Sequence, residues 1–233
     1  MVAVEWEDRF RFRDRVDAGK QLAEALAPYR SARTVVVAVP SGGVPVAIEV
    51  AGSFNAPLDV VVTRKIPVPG NPEAGFGAVA GDGTIFLNEP LVAQLGLSGQ
   101  QTEQQAANVM IEMERRSAFY RERLPMVPLA DKTAIVIDDG LASGFTMVAA
   151  AKSVERQGAA RIVVASPVAS GSAYQIIKPR CDAVVCLVVR HGHSFAVASF
   201  YREWHDLTED EVSEHLRKWQ ARHAASGGTD IRP

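Results

Sequence analysis

Ile135-Val136-Ile137-Asp138-Asp139-Gly140-Leu141-Ala142-Ser143-Gly144-Phe145-Thr146 opens as an apolar β-branched run and closes as the beginning of a helix. Two carboxylates stand side by side where the strand runs out, and a turn of small residues follows. In open α/β sheets the crevice beyond the carboxyl ends of the strands is where ligands bind, so this spacing puts both acids at its edge. Ser143, Gly144 and Thr146 supply hydroxyls, a compact backbone and exposed N–H groups at a helix N-terminus, a combination suited to an anion. An ordinary Ser/Thr helix cap would explain the turn. It would not explain two adjacent charges on the end of a buried strand, where like charges repel and desolvation is costly unless a ligand or donors satisfy them.

Outward from this stretch the same rhythm repeats. Residues 34–39, 58–63, 133–138, 161–167 and 182–189 are dense in valine and isoleucine. Continuous apolar runs of this length, without in/out alternation, predict strands buried on both faces of a parallel sheet. Helical patterns at 44–52, 145–157 and 172–178 lie between them, so the chain reads as α/β with right-handed crossovers. Short buried helices are the alternative, disfavoured by the β-branched residues and the flanking Gly and Pro. The rhythm breaks after the second strand. Residues 64–77 hold three prolines and three glycines, which predicts a long loop, and loops of that length in compact domains are usually functional. In 78–87, Gly81-Asp82-Gly83 reads as a hairpin turn. Residues 88–95 and 98–124 read as helices, the second with Ala106, Met110, Met113, Ser117, Tyr120 and Leu124 along one face. That stripe would pack on the sheet or on a second subunit. Residues 208–223, with an N-cap threonine and an acidic first turn, read as a C-terminal helix. The Gly-rich stretch 224–233 reads as a flexible tail. The expected organisation is one domain over 1–223, with a core at 34–189, an insertion at 78–124 and a C-terminal hood and helix at 190–223.

Composition bounds what such a domain does. The chain has 233 residues, 47% hydrophobic and 22% charged, close to the soluble average. With 25 basic against 27 acidic side chains and a net charge of −2, a protein that coats nucleic acid or anionic lipid is disfavoured. No apolar run approaches the length of a membrane span, and residues 1–15 lack the apolar core of a signal peptide. Two cysteines, Cys181 and Cys186, make no disulfide framework, and a cytoplasmic location is the simplest expectation. His191-Gly192-His193 lacks partners at familiar metal-ligand spacing.

One site therefore asks for anion binding and hydroxyl binding together, which a sugar phosphate satisfies. Here the sequence resembles a known family. An acid pair followed by Ala142-Ser143-Gly144-Phe145-Thr146 is similar to the PRPP-binding motif of the type I phosphoribosyltransferases, and the resemblance runs from about residue 34 to 189. It implies an open, twisted, mostly parallel five-stranded sheet with helices on both faces, carrying a hairpin/helical insertion and a C-terminal helix. It also implies that Asp138 and Asp139 hold the ribose hydroxyls and that Ala142, Ser143, Gly144, Phe145 and Thr146 cradle the 5-phosphate. Val39-Pro40-Ser41-Gly42-Gly43-Val44-Pro45 occupies the position of the family's diphosphate loop. Paired glycines there let main-chain N–H groups approach an anion, although an ordinary βα turn would look the same in isolation. A cis peptide at Ser41–Gly42 or its immediate neighbour is implied as well. The branch this chain looks most like has P-R-G-G-V-P, so Ser41 keeps the backbone cradle and drops a cation.

Arg64 and Lys65, at the end of the second strand, would clamp the diphosphate together with Ser41, Gly42 and Gly43, with residues 67–77 as a lid pivoting on Gly70, Gly75 and Gly77. A solvated surface pair is the other reading of these cations. The implied reaction is magnesium-dependent transfer of a phosphoribosyl group from PRPP to an acceptor, with Asp138, Asp139 and Lys65 as catalytic groups. Mg²⁺ would be carried by the substrate, with no direct protein ligands beyond water-mediated contact to Asp138 or Asp139. A PRPP-binding regulatory protein with little chemistry is the alternative. The acceptor is unassigned: Ala142 stands where 6-oxopurine enzymes carry a second acid. Phe195 and Tyr201, in the hood, are candidate stacking residues, though core packing explains them better. A homodimer is implied by the same resemblance.

Overall fold

The structure is a computed structural model that describes residues 11–192 and 194–225. In chain order it contains helix α1 (Arg15–Ala25), strand β1 (Thr34–Ala38), α2 (Gly43–Phe54), β2 (Leu58–Val60), β3 (Thr63–Val68), β4 (Asn71–Ala80) and β5 (Ile85–Leu87). Then come α3 (Glu89–Gln94), α4 (Gly99–Arg121), β6 (Thr133–Ile137), α5 (Phe145–Arg156), β7 (Arg161–Ser170), α6 (Gly171–Ile177), β8 (Ala183–Arg190) and α7 (Glu209–Ala225). The five expected core strands form one parallel sheet in the order β2-β1-β6-β7-β8. The reason is visible in the burial. Along β1, Val36 and Ala38 pack into a layer with Leu22 of α1, Val46 and Val50 of α2, and Val212, Leu216 and Trp219 of α7. Val35 and Val37, pointing the other way, join Val148 and Ala151 of α5 and Ile177 of α6. A strand covered on both faces has no polar side, hence the unbroken valine runs. Edge strand β8 is only half-buried.

Two expectations are corrected. Residues 64–77 are not a loop: β3 and β4 pair antiparallel, Thr63 opposite Ala80, and β5 completes a three-stranded sheet. The register shifts on both sides of Pro67, where the chain has no N–H to give to the ladder. Gly75 and Gly77 are not pivots. A Cβ on Gly75 would lie 2.3 Å from Lys65 Cγ, and one on Gly77 would lie 2.4 Å from the Phe86 carbonyl oxygen, so both permit close packing. Of the three, Gly70 alone has a positive φ, +78°, and it makes the β3–β4 turn. Helix α1 is an addition to the elements expected from the sequence. Asp14 caps it by accepting the Asp17 N–H at 2.7 Å, and Ala18 and Leu22, with Leu26 at the C-cap, form its buried stripe.

The remaining elements follow the sequence closely. The turn after β4 is closed by the Gly83 N–H donating to the Ala80 carbonyl at 2.9 Å. α4 starts from a Ser98–Gln101 capping box, and α7 from Thr208, whose hydroxyl and N–H each donate to Glu211 at 2.9 Å. The α4 stripe is spent inside the chain: Ala106, Met113, Tyr120 and Leu124 are buried, against the β3–β4 sheet. No helix among the described residues is long and apolar enough to cross a membrane. Most of the tail read at 224–233 lies outside the described residues, as does His193.

Candidate active site at the β1 and β6 strand ends

Strand order decides where a ligand can sit. From β1 the chain moves outward to β2, and β6 returns to the other side of β1, so the sheet changes direction between β1 and β6. That is the switch point at which such sheets open a crevice. Ala38 and Ile137 are register partners, so the loop after β1 and the acid pair after β6 leave the sheet side by side. Their approach is close enough to require glycine. A Cβ on Gly43 would fall 2.5 Å from the Ile137 carbonyl oxygen, and one on Gly42 would fall 2.0 Å from Asp139 Oδ2. The Pro40–Ser41 peptide, one bond before Ser41–Gly42, is cis.

The two acids are not equivalent. Asp139 is buried and its Oδ2 accepts from Arg15 Nε at 2.7 Å, with both side chains nearly removed from solvent. Arg15 also donates to the His205 carbonyl at 3.0 Å, and its guanidinium lies 3.9 Å above the Trp204 ring. Burial pushes the Asp139 carboxyl upward, and Arg15 offsets only part of that. Asp138 is half-buried, and its Oδ1 accepts the Asp139 N–H at 2.8 Å. Burial, then the neighbouring Asp139 charge, hold its carboxyl well above the usual carboxylate range. Arg15 therefore favours the charged form directly at Asp139, whereas Asp138 carries the repulsion of its neighbour.

The turn after the acids is pinned from the sheet. Leu141 pairs with the far end of β7, donating to the Val168 carbonyl at 2.9 Å and accepting from the Ser170 N–H at 2.8 Å. The Ser170 hydroxyl donates to the Ala142 carbonyl at 2.6 Å. Ala142 and Ser143 remain exposed. Gly144, at φ +80°, is the N-cap of α5 and makes no side-chain cap. The Phe145 ring is buried against Phe86, so its contribution to the loop is its N–H, which donates to Ser143 Oγ at 3.4 Å. Thr146 is half-buried in the first turn. Residues 142–146 therefore present a turn whose backbone opens at a helix N-terminus.

Other expected site residues are placed differently. Arg64 and Lys65 are neighbours in β3, so their side chains leave opposite faces of the strand and cannot both line the crevice. Arg64 is paired with Glu112 of α4, and the Lys65 stem crosses Gly75. Tyr201 has no ring face to offer an acceptor. It is 1% exposed, and its hydroxyl donates to the Asp139 carbonyl at 2.6 Å, so it props the acid pair from behind. Phe195 packs on Phe200 with ring centroids 5.5 Å apart. Among the described residues no group of three His, Cys, Asp or Glu could hold a metal ion. His191 is exposed beside Gly171. Cys181 and Cys186 are free and half-buried, with burial pushing the Cys186 thiol up to about 12.

A cavity of about 370 Å³ opens beside the acid pair, lined by Pro40, Ser41, Gly42, Asp139, Arg15 and Arg116, and by Val197, Trp204, Asp206 and Leu207. Arg15, Arg116, Trp204 and Asp206 escaped the sequence reading. A larger groove, about 600 Å³, lies between α1, α2 and α7, but it opens at the end of α2 remote from the two loops.

Comparison with known proteins agrees with this architecture. The phosphoribosyl transferase domain model matches residues 14–200. Proteins from two strains of Mycobacterium tuberculosis, each named "Putative phosphoribosyl transferase", are 38% identical over 219 residues, 94% of this chain and 49% of theirs. The chain thus spans about half the length of the curated relatives it matches. The crystal structure of TT1426 from Thermus thermophilus superposes with a TM-score of 0.76 at 38% identity, covering 90% of this chain and 99% of that one. Because the domain model takes in the β1 loop, the acid pair and the 142–146 turn as one continuous unit, the chain belongs to the phosphoribosyl transferase family.

Proposed function

We propose that the chain binds PRPP as its magnesium complex and transfers the 5-phosphoribosyl group to an acceptor nucleophile, releasing diphosphate. The observation that carries this is the juxtaposition of two anion-suited loops at one switch point, with the acid pair between them. The turn 142–146 would take the 5-phosphate on its backbone N–H groups. The loop 41–43 would take the diphosphate, with Ser41 Oγ and the N–H groups of Gly42 and Gly43 as donors. Asp138 would face the ribose hydroxyls. Asp139, held by Arg15, would fix the Gly42 approach and contribute negative potential beneath the ring as positive charge develops there. The donor set fits magnesium in one respect: a hard carboxylate oxygen beside a diphosphate cradle suits an ion that keeps waters and substrate oxygens. When bound, the ion would neutralise charge on the departing diphosphate. An acceptor would enter past Trp204, Asp206 and Leu207, which line the cavity.

The test is diphosphate release from PRPP and magnesium across an acceptor panel, with PRPP binding followed by calorimetry. Binding should be lost in Asp138→Asn combined with Asp139→Asn, and parental affinity in that double variant would overturn the assignment. Ser41 in the diphosphate loop, and the commitment of Asp139 to Arg15, favour a second reading as a PRPP-responsive regulatory protein. Tight PRPP binding without turnover on every acceptor would select it. The family resemblance supports a homodimer, and sedimentation giving a monomer at micromolar concentration would contradict it.

A further inference from the structure

We infer that Arg116, from the α4 insertion, supplies through space the leaving-group cation that the diphosphate loop lacks at Ser41. The inference rests on the proposed PRPP site. Arg116 lies between Met113 and Tyr120, both fully buried against the body of the protein, so the packing of α4 turns this position inward, half-buried, toward the β1 loop. Its Nη2 donates to Ser41 Oγ at 3.4 Å, across 75 positions of sequence, and it lines the same cavity as Ser41, Gly42 and Asp139.

Three neighbouring carboxylates, Glu112, Asp139 and Glu209, each pair with another arginine, and Asp206 lines the same cavity. Arg115 pairs bidentately with Glu209, at 3.1 and 2.9 Å. Glu112, one helical turn before Arg116, is taken by Arg64. Asp139 is taken by Arg15. Among the described residues Arg116 forms no ion pair, and its hydrogen-bond partner is a hydroxyl that a phosphoryl oxygen could displace. A planar fork of donors beside a loop of glycine N–H groups is a recognition surface for a diphosphate, whose oxygens accept two parallel bonds. The short side chain at 41 is then a requirement, since it leaves room for a guanidinium arriving from α4.

The test uses the full chain and magnesium diphosphate as probe, with ribose 5-phosphate as the control ligand. Arg116→Ala should weaken diphosphate binding about 10- to 100-fold, the usual worth of charge-assisted hydrogen bonds. Ribose 5-phosphate affinity and the melting temperature should stay near parental values. Arg116→Lys, which keeps the charge and loses the fork, should fall between. Arg115→Ala should bind diphosphate as the parent does. Adding Ser41→Arg to Arg116→Ala should restore part of the lost affinity, which a merely structural role would not produce. Unchanged diphosphate affinity in Arg116→Ala, or equal loss of both ligands with a lowered melting temperature, overturns the inference while leaving the PRPP site standing. If the parent binds neither diphosphate nor PRPP, the proposed function falls and this inference with it.

Discussion

Replacing Arg15 by Met removes one partner of a buried ion pair and leaves the Asp139 charge behind. The pair is 2.7 Å long, and its side chains are 8% and 13% exposed, so solvent can do little to compensate. Breaking such a pair costs about 3–5 kcal/mol. For a chain of this size each kcal/mol lowers the melting temperature by about 2–4 °C, giving a drop of about 6–20 °C by circular dichroism. Met keeps most of the volume beneath Trp204, so the loss reports charge more than packing. Adding Asp139→Asn removes the stranded charge and should return the protein to within about 1–2 kcal/mol of the parent. A single-variant loss below about 1 kcal/mol, the range of exposed pairs, would refute the claim that Arg15 and Asp139 act as a buried pair. Strictly additive effects would refute the claim that the two side chains act as a unit.

Asp138 should behave in the opposite sense. Its carboxyl is raised in the folded state, so the native protein holds a proton that the unfolded chain gives up, and stability rises as pH falls from the raised value toward the ordinary carboxylate range. Asp138→Asn should therefore melt higher than the parent at neutral pH, flatten that pH dependence, and fail to bind PRPP. A lower melting temperature with intact binding would contradict both roles. If PRPP needs the ionised form, its affinity in the parent should decline as pH drops through the same window, and calorimetry in buffers of different ionisation enthalpy should detect proton release. Gly42→Ala places a methyl 2.0 Å from an Asp139 oxygen that Arg15 holds still. A cost of about 1–3 kcal/mol and loss of diphosphate affinity are expected, and a neutral substitution would mean the loops separate more readily than their packing implies.

The central sheet was legible because its strands are covered on both faces, which leaves valine and isoleucine as their only economical composition. The β3–β4 pair was hidden by the same logic. Pro67 sits at a register shift, and Gly75 and Gly77 make room for neighbouring atoms, so residues that ordinarily signal loops here serve a sheet. The site divides similarly. The acid pair, the glycines at 42–43 and the turn at 142–146 are contiguous, and local chemistry betrays them. Arg15 reaches Asp139 across 124 positions, and Arg116 comes from a helix whose sequence shows only an amphipathic stripe. No local pattern distinguishes such arginines from solvated ones. The aromatics teach the converse. Tyr201 and Phe195 lie in the expected segment, yet the first is a buried prop and the second packs on Phe200, while Trp204, a few residues on, lines the cavity.

The most direct test of the account is a crystal structure of the full chain with PRPP and magnesium. It should place the 5-phosphate in the turn 142–146, the ribose hydroxyls on Asp138, and the diphosphate between Gly42, Gly43 and Arg116. PRPP seated in the groove between α1, α2 and α7, or anywhere away from the β1 and β6 strand ends, would contradict it.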